Sequence, residues 1–367
     1  GHEDHIGGLP YVLRELNVPV YGTRLTIGLL EPKLKETAHV KNPRLHVVNP
    51  RQMFKVGGFT IELLRMCHSI PDSVAIAVHT PYGVILHSGD FKFDQTPVDG
   101  RVTDFQRIAE LGNEGVLLLM SDSTNVERSG YSTSEKVVGK TFDELFRAAK
   151  ERIILATFAS NVHRIQQVVS AAYTYNRKVA IAGRSMVNVV GVAQELGYLD
   201  IPDGILVELD EINNYPKEQI VLLTTGSQGE PMSALTRMAM SDHRRVQIEP
   251  GDTVIISANP IPGNEKLVAR VVDMLSKLGA EVIHGRDANV HVSGHACREE
   301  LMMLLNLVKP QYFMPVHGEY RMLLKHAQLA EQVGMPKENI FVGENGNILE
   351  LNKDFGRLNG KITSGRV

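Results

Sequence analysis

The chain has 367 residues, 43% hydrophobic and 22% charged, with 32 Gly, 17 Pro and no Trp. That composition supports one large or two ordinary globular domains and excludes disorder, collagen and coiled coil. No apolar run reaches the roughly 18 residues of a spanning helix and nothing resembles a signal peptide, so a soluble protein with no membrane association is expected. The net charge of -3 excludes a wholly basic nucleic-acid coat but leaves room for a locally positive groove. Two cysteines, Cys67 and Cys297, with no Cys-x-x-Cys pattern, indicate neither a disulfide framework nor a cysteine zinc site, and fit a reducing cytoplasm.

The first residue is Gly and the text opens directly on GHEDHIGGLP, with no strand or cap before it, so the chain reads as a fragment whose beginning has been cut. Helices are expected over residues 9–16 and about 26–35, each with an apolar stripe at helical spacing. Short β-like runs follow at VPVYG, RLHVV, FTIELLRM, SVAIAVHT and GVILHSGD, the last two joined by Pro81-Tyr82-Gly83. GVLLLMSDS, residues 115–123, is a buried strand ending in polar residues. Beyond Ser132 the rhythm becomes strand then helix: RIILATF and NVHRIQQVVSAAYTY, KVAIAG and SMVNVVGVAQEL, IVLLTTG and MSALTRMAM, DTVIISA and NEKLVARVVDMLSKLG, then EVIHG. This is the pattern of a parallel α/β domain, inserted through tight connections. A helix at HACREELMMLLNLV, a strand at QYFMPVHG, a helix at EYRMLLKHAQLAEQVG and β-like segments at NIFVG and GNILEL complete the chain.

His2, Asp4 and His5 bring two imidazoles and a carboxylate into four residues at a helix start, donors suited to zinc; a polar cap with solvated histidines is the alternative. His68 and Asp90 each follow an apolar strand, and His317 in Pro315-Val316-His317-Gly318-Glu319 repeats the arrangement. One such residue is ordinarily a satisfied polar group at a turn, whereas four instances in one chain point to a shared centre.

These motifs resemble the metallo-β-lactamase-fold nucleases with a β-CASP insertion, and within them bacterial ribonuclease J. The family's H-x-H-x-D-H signature matches from its second His as His2, Asp4 and His5; its first His would lie two residues before His2, outside this chain. His68 matches the next zinc-binding His, Asp90 the Asp that bridges both metals, and His317 the His that completes the second site. The resemblance implies an αββα metallo-β-lactamase sandwich at residues 1–132 and 291–367, interrupted by a parallel α/β β-CASP domain at 133–290. Asp122 resembles the family's acidic position at a strand end, and His295 in HVSGHA its post-insertion His. Segments matching Ala159-Ser160-Asn161 and His291-Val292-Ser293-Gly294-His295 hold substrate phosphate in the family, and hydroxyl, amide, imidazole and backbone donors at a helix start suit an anion. A His rather than Val at 317 favours RNA over DNA.

The implied reaction is zinc-dependent phosphodiester hydrolysis by a hydroxide bridging two Zn2+ per subunit, with Mn2+ or Mg2+ as possible replacements. His295 contacts the scissile phosphate or protonates the leaving 3′-oxygen, Asp4 also orients the water, and Asp122 holds a ligand His in its tautomer. The implied substrate is single-stranded RNA, preferably 5′-monophosphorylated, cut by 5′-to-3′ exonuclease and endonuclease action in mRNA decay and rRNA maturation. Further implications are a cytoplasmic location and a homodimer or homotetramer, with a paralogue or a decay complex as partner. A carboxy-terminal domain is implied beyond Gly365-Arg366-Val367. Competing readings are a DNA-directed β-CASP nuclease, a metallo-hydrolase of thioesters or lactams, and a non-catalytic RNA-binding scaffold.

Several motifs carry plainer readings. Ser160 and Asn161 could simply cap a helix beginning near Val162, and His291 could be a surface histidine. TTGSQGEP, residues 224–231, lacks a P-loop Lys and reads as a tight strand-to-helix connection. Phe158 is a core residue or a platform for a base. Cys67 and Cys297 read as small buried residues, and His46, His79 and His326 as structural or solvated.

Overall fold

The computed structural model describes residues 1–37, 40, 42–285 and 288–363. The terminal Gly365-Arg366-Val367 lies outside them. The chain opens on helices α1 (Glu3–Ile6) and α2 (Leu9–Glu15), then strand β1 (Val20–Gly22), helix α3 (Arg24–Glu36) and strands β2 (Leu45–Val47), β3 (Met53–Val56), β4 (Phe59–Arg65), β5 (Val74–Thr80) and β6 (Gly83–His87). Helix α4 (Phe105–Glu114) and strand β7 (Val116–Asp122) follow. Next come α5 (Lys136–Ala148), β8 (Ile153–Ala156), α6 (Val162–Thr174), β9 (Lys178–Ala182), α7 (Arg184–Glu195), β10 (Ile220–Thr224), α8 (Ala234–Ala239), β11 (Thr253–Ile256), α9 (Glu265–Lys277) and β12 (Glu281–His284). The chain continues with α10 (Arg298–Val308), β13 (Tyr312–Val316), α11 (Tyr320–Gln332), β14 (Asn347–Leu351) and β15 (Gly356–Lys361).

Two sheets organise the molecule. The first has the order β13-β7-β6-β5-β4-β3, antiparallel from β3 to β6 and parallel across β6, β7 and β13. Strands β4, β6, β7 and β13 therefore all run the same way. Their carboxyl ends lie along one edge, and those ends lead into His68, Asp90, Asp122 and His317. The second sheet, β12-β11-β8-β10-β9, is wholly parallel. Its central strands β8, β10 and β11 are buried at every residue, as continuous apolar runs require when helices cover both faces. The carboxyl end of β8 delivers Phe158 to Asn161, and that of β11 delivers Ser257. Beyond residues 291–297 the chain returns to the first sheet, where α10 and β13 pack into the same core as β4, β6 and β7.

The structure extends the sequence reading in particular places. Helix α4, capped by the Asp104 side chain accepting from Arg107 N–H at 3.2 Å, buries Ile108 and Leu111 and was not expected from the sequence. Helix α5 was also not expected, although Val138, Phe142 and Phe146 recur every four residues and pack the inserted core. Strand β3 pairs with β4 across Gly57-Gly58, and β15 pairs with β14; both are mostly exposed edges with little apolar alternation. NIFVG, expected to be β-like, instead forms a 3-10 turn at Lys337–Asn339 followed by a single bridge from Ile340 to Phe313. Among the described residues no helix is long and apolar enough to cross a membrane.

Candidate metal centre and phosphate cleft

Four carboxylate and imidazole groups meet where the first helix faces the strand edge. His2 is the extended N-cap of α1, and the one-turn helix carries Asp4 and His5 toward Asp90. His5 Nε2 lies 2.8 Å from Asp90 Oδ2 and 3.7 Å from Asp4 Oδ2. His317 reaches the same group from the far side, with Nε2 3.4 Å from Asp4 Oδ2 and Nδ1 3.5 Å from Asp90 Oδ1. Its backbone adopts a φ of 56°, a left-handed conformation unusual for any residue but glycine. Ser123 N–H donates to the His317 carbonyl at 3.2 Å and holds that turn, with Thr124 Oγ1 3.1 Å from the same oxygen.

A second set overlaps the first. Asp122, fully buried, accepts from His295 Nδ1 at 2.7 Å through Oδ2 and stands 3.3 Å from His317 Nδ1 through Oδ1. The ligand atoms of Asp4, His5, Asp90 and His317 fall within 4.8 Å of one another, as do those of Asp90, Asp122, His295 and His317. Asp90 and His317 are common to both. Beside them His68 Nδ1 donates to the Gly294 carbonyl at 2.7 Å, which leaves Nε2 bare and 3.9 Å from Asp90 Oδ2. That is the tautomer a metal ligand needs. Gly294 has to be glycine, since a Cβ there would meet the His68 ring at 2.7 Å.

Electrostatics follow from burial and neighbours. Burial pushes His2 down to about 3 and takes His68 well below the ordinary histidine value, so both rings are neutral. Burial also works against a charge on His317, but its bonds to Asp122 and Asp4 override this and push it up to about 10. The same bond to His317 holds Asp4 far below the usual carboxylate range. For His295 burial is again opposed and overcome, by Asp122, and its pKa is raised. Neutral His68, ionised Asp4 and Asp90, and His5 and His317 with a cation in place of the proton each holds, are donors that fit borderline-soft divalent cations.

Residues 150–275 match the family described as "Ribonuclease J, beta-CASP domain", residues 1–127 the "Metallo-beta-lactamase superfamily", and residues 280–342 the "Zn-dependent metallo-hydrolase RNA specificity domain". The chain is 48% identical over 367 residues to a Ribonuclease J from Synechocystis, covering all of this chain and 57% of that protein. It belongs to the ribonuclease J family. The Thermus thermophilus Ribonuclease J is 46% identical over 372 residues, and the Bacillus subtilis Ribonuclease J2 43% over 367; the chain spans 65% and 66% of their lengths. A crystal structure of a protein of unknown function from Enterococcus faecalis shares the fold, with a TM-score of 0.58 at 15% identity over 82% of this chain and 70% of that one. The fold is thus the α/β metallo-β-lactamase and β-CASP combination of the ribonuclease J family, a metallo-hydrolase architecture with candidate metal clusters.

Of the ligand positions implied by resemblance to ribonuclease J, the structure gathers Asp4, His5, Asp90 and His317, with His68 alongside. His2 sits next to them but its nitrogens are engaged: Nδ1 lies 2.5 Å from Ser160 Oγ and Nε2 2.8 Å from Ser69 Oγ, while its ring meets His68 edge-on at 4.9 Å. Ser160 is therefore beside the centre, and Asn161 caps α6 by accepting from Arg164 N–H at 3.1 Å. His291 is not a surface histidine: it is half-buried with Arg164 Nη1 3.5 Å from its Nδ1, and burial and then the Arg164 charge push it down to about 3. Ser293 accepts from Asn125 Nδ2 at 2.8 Å, while Val292 and Gly294 are buried. Ala159 and Ser160 line a cavity of about 890 Å3 that also takes in Gly1, Arg184 and the 225–227 turn. Phe158 lines this cavity too and is only half-buried, so its side chain belongs to the cleft and not to the core. TTGSQGEP makes the expected strand-to-helix turn, with Gly226 at φ 108° and Ser233 capping α8.

Sequence reasoning missed Ser69, Thr124 and Asn125. Thr124 Oγ1 donates to Asp122 Oδ1 at 2.8 Å and lies 2.9 Å from His317 Nδ1, and Asn125 ties residues 293 and 295 to the end of β7. The run Ser-Asp-Ser-Thr-Asn itself was the available signal. Cys67 and Cys297 are buried, and His79 bonds to Glu62 at 3.2 Å, as structural residues do.

His326 is wholly buried behind Asp122, with Nδ1 2.9 Å from Ser123 Oγ, and burial pushes it down to about 3. An unfolded chain protonates this ring near 6.5, so stability is intact above that pH and is lost as pH falls toward 3. By pH 5 the loss is about 2 kcal/mol. His326→Leu is expected to flatten that acid-side decline in urea unfolding at pH 7 and pH 5; an unchanged decline would assign it elsewhere.

Proposed function

We propose that this chain is the catalytic core of a zinc-dependent ribonuclease that cuts 5′-monophosphorylated single-stranded RNA by 5′-to-3′ exonuclease and endonuclease action in mRNA decay and rRNA maturation. One observation carries the reading. Asp90 and His317 are shared by two donor clusters, and His2 beside them meets Ser160, which lines the neighbouring cavity. Asp4, His5, Asp90 and His317 would hold one ion; His68 and Asp90 would contribute to the other, with His2 joining them once Nε2 exchanges Ser69 Oγ for the cation. Two bound cations, zinc by donor type with manganese or magnesium as replacements, would polarise the phosphoryl oxygens and lower the pKa of water from 15.7 to about 7.

The remaining work falls to side chains. The Ser160 and Ser293 hydroxyls hold the phosphate and fix its register without reading bases, so sequence preference is weak. Asp122 holds His295 Nδ1–H, and the raised pKa keeps a proton available on the ring for the departing 3′-oxygen near neutral pH. The products are a 5′-phosphate and a 3′-hydroxyl. Phe158 offers a face on which an unstacked base can rest. Assembly of the full protein as a homodimer or homotetramer in the cytoplasm belongs to the same proposal.

The test uses the full-length protein and one RNA labelled at its 3′ end, bearing 5′-monophosphate, 5′-triphosphate or 5′-hydroxyl, beside a DNA of the same sequence. Preferential loss of the 5′-monophosphorylated RNA is expected, by about tenfold or more in kcat/KM. Intact RNA with DNA or a thioester consumed would keep the metal centre and reject the substrate.

A further inference from the structure

We infer that Arg164 and Glu135 form a positioning pair that sets the separation of the two phosphate-holding segments. The inference rests on the role proposed above for residues 159–161 and 291–295. Arg164 is 0% exposed and cannot touch substrate. It sits one turn into α6, and its own N–H is the group that Asn161 caps, so its backbone is fixed to the first segment. Its guanidinium then reaches the second. Nη1 donates to Ser257 Oγ and, at 3.1 Å, to the Val290 carbonyl, and lies 3.5 Å from His291 Nδ1. Ser257 Oγ–H donates to the same Val290 carbonyl at 2.6 Å. The peptide immediately before His291 is therefore gripped twice.

Nη2 donates to Glu135 Oε2 at 2.7 Å, and Glu135 is 2% exposed. Glu135 N–H in turn donates to Asp94 Oδ2 at 3.1 Å, and its Oε1 stands 3.9 Å from the buried Lys92 Nζ. Lys92 lies two residues beyond Asp90. One continuous buried chain thus runs from the segment after Asp90, through Lys92, Glu135 and Arg164, to both halves of the phosphate cleft. It crosses from the first sheet to the second. Two charges taken out of water recover in mutual attraction about what desolvation costs, so an apolar pair would serve stability equally well. What apolar side chains lack is the directed fork of a guanidinium, which fixes angle as well as distance. Glu135 Oε1 and Arg164 Nε find no hydrogen-bond partner among the described residues, a cost that packing alone does not explain.

The experiment compares the full-length metal-loaded protein with Arg164→Lys, Glu135→Gln and the apolar double variant Glu135→Leu/Arg164→Met. It reads kcat and KM on 5′-monophosphorylated and 5′-hydroxyl RNA, the affinity ratio for adenosine 5′-monophosphate over adenosine, metal content and Tm. Arg164→Lys is expected to raise KM for the monophosphorylated RNA about tenfold while kcat moves less than about threefold. The preference for the 5′-phosphate, in cleavage and in nucleotide binding, shrinks with it at unchanged metal content. The apolar double variant regains Tm without regaining the preference. A folded Arg164→Lys protein with wild-type preference and nucleotide ratio would overturn the inference, as would recovery of the preference in the double variant. If the double variant does not fold, Arg164→Lys and Glu135→Gln decide. A wild-type protein that lacks the 5′-phosphate preference would instead overturn the phosphate role on which the inference stands.

Discussion

Asp90→Ala is expected to strip the protein of bound divalent metal and to lower RNA hydrolysis by about a thousandfold or more, with the fold intact. Asp90 follows β6 through Gly89, whose φ of 59° and close approach to the Val74 carbonyl leave no room for a side chain. That turn aims the carboxylate at His5, His317 and His68 together. Burial alone would favour its protonated form, yet the bond from His5 prevails and its pKa is lowered, so it stands ready as an anionic ligand. No neighbour can replace it, since Asp4 and Asp122 each reach only one side of the centre. Metal analysis of the purified variant, with Tm measured beside it, checks both parts; a variant that keeps two ions would remove Asp90 from the bridging role.

His295→Ala is expected to lower kcat by about a hundred- to ten-thousandfold while metal content stays at the wild-type level. Its partner change, Asp122→Asn, should fall in the same range, because an amide can neither raise the His295 pKa nor fix its tautomer with the same force. The alkaline limb of the pH–rate profile discriminates. A group raised by Asp122 loses its proton above the ordinary histidine range, and with Asp122→Asn that loss moves to lower pH. Metal lost together with activity in His295→Ala would show that this ring is a ligand and not a proton donor.

The candidate metal cluster was legible because a parallel arrangement of β4, β6, β7 and β13 places polar residues that follow apolar runs along one edge. His68, Asp90, Asp122 and His317 are all found by that rule. What links them is not periodic. His2 meets Ser160 across 158 positions, His295 meets Asp122 across 173, and Arg164 meets Val290 across 126. Such pairs arise from how the inserted sheet docks on the first, and no local pattern encodes them. Helix α5 escaped for a different reason: Val137, Val138 and Gly139 at its start are weak helix formers, so its Val138–Phe142–Phe146 stripe carried the only signal. For His291 the sequence left a surface position open beside the phosphate-holding one, because nothing local shows that Arg164, 127 positions away, lies against its ring.

The decisive measurement is single-turnover cleavage of a 3′-labelled, 5′-monophosphorylated RNA by chelator-stripped full-length protein, titrated back with zinc or manganese and repeated with Asp90→Ala. Activity absent after stripping, restored as two equivalents of metal bind, and never restored in Asp90→Ala is the predicted result. Undiminished cleavage by the stripped protein, or restoration in Asp90→Ala, would contradict it.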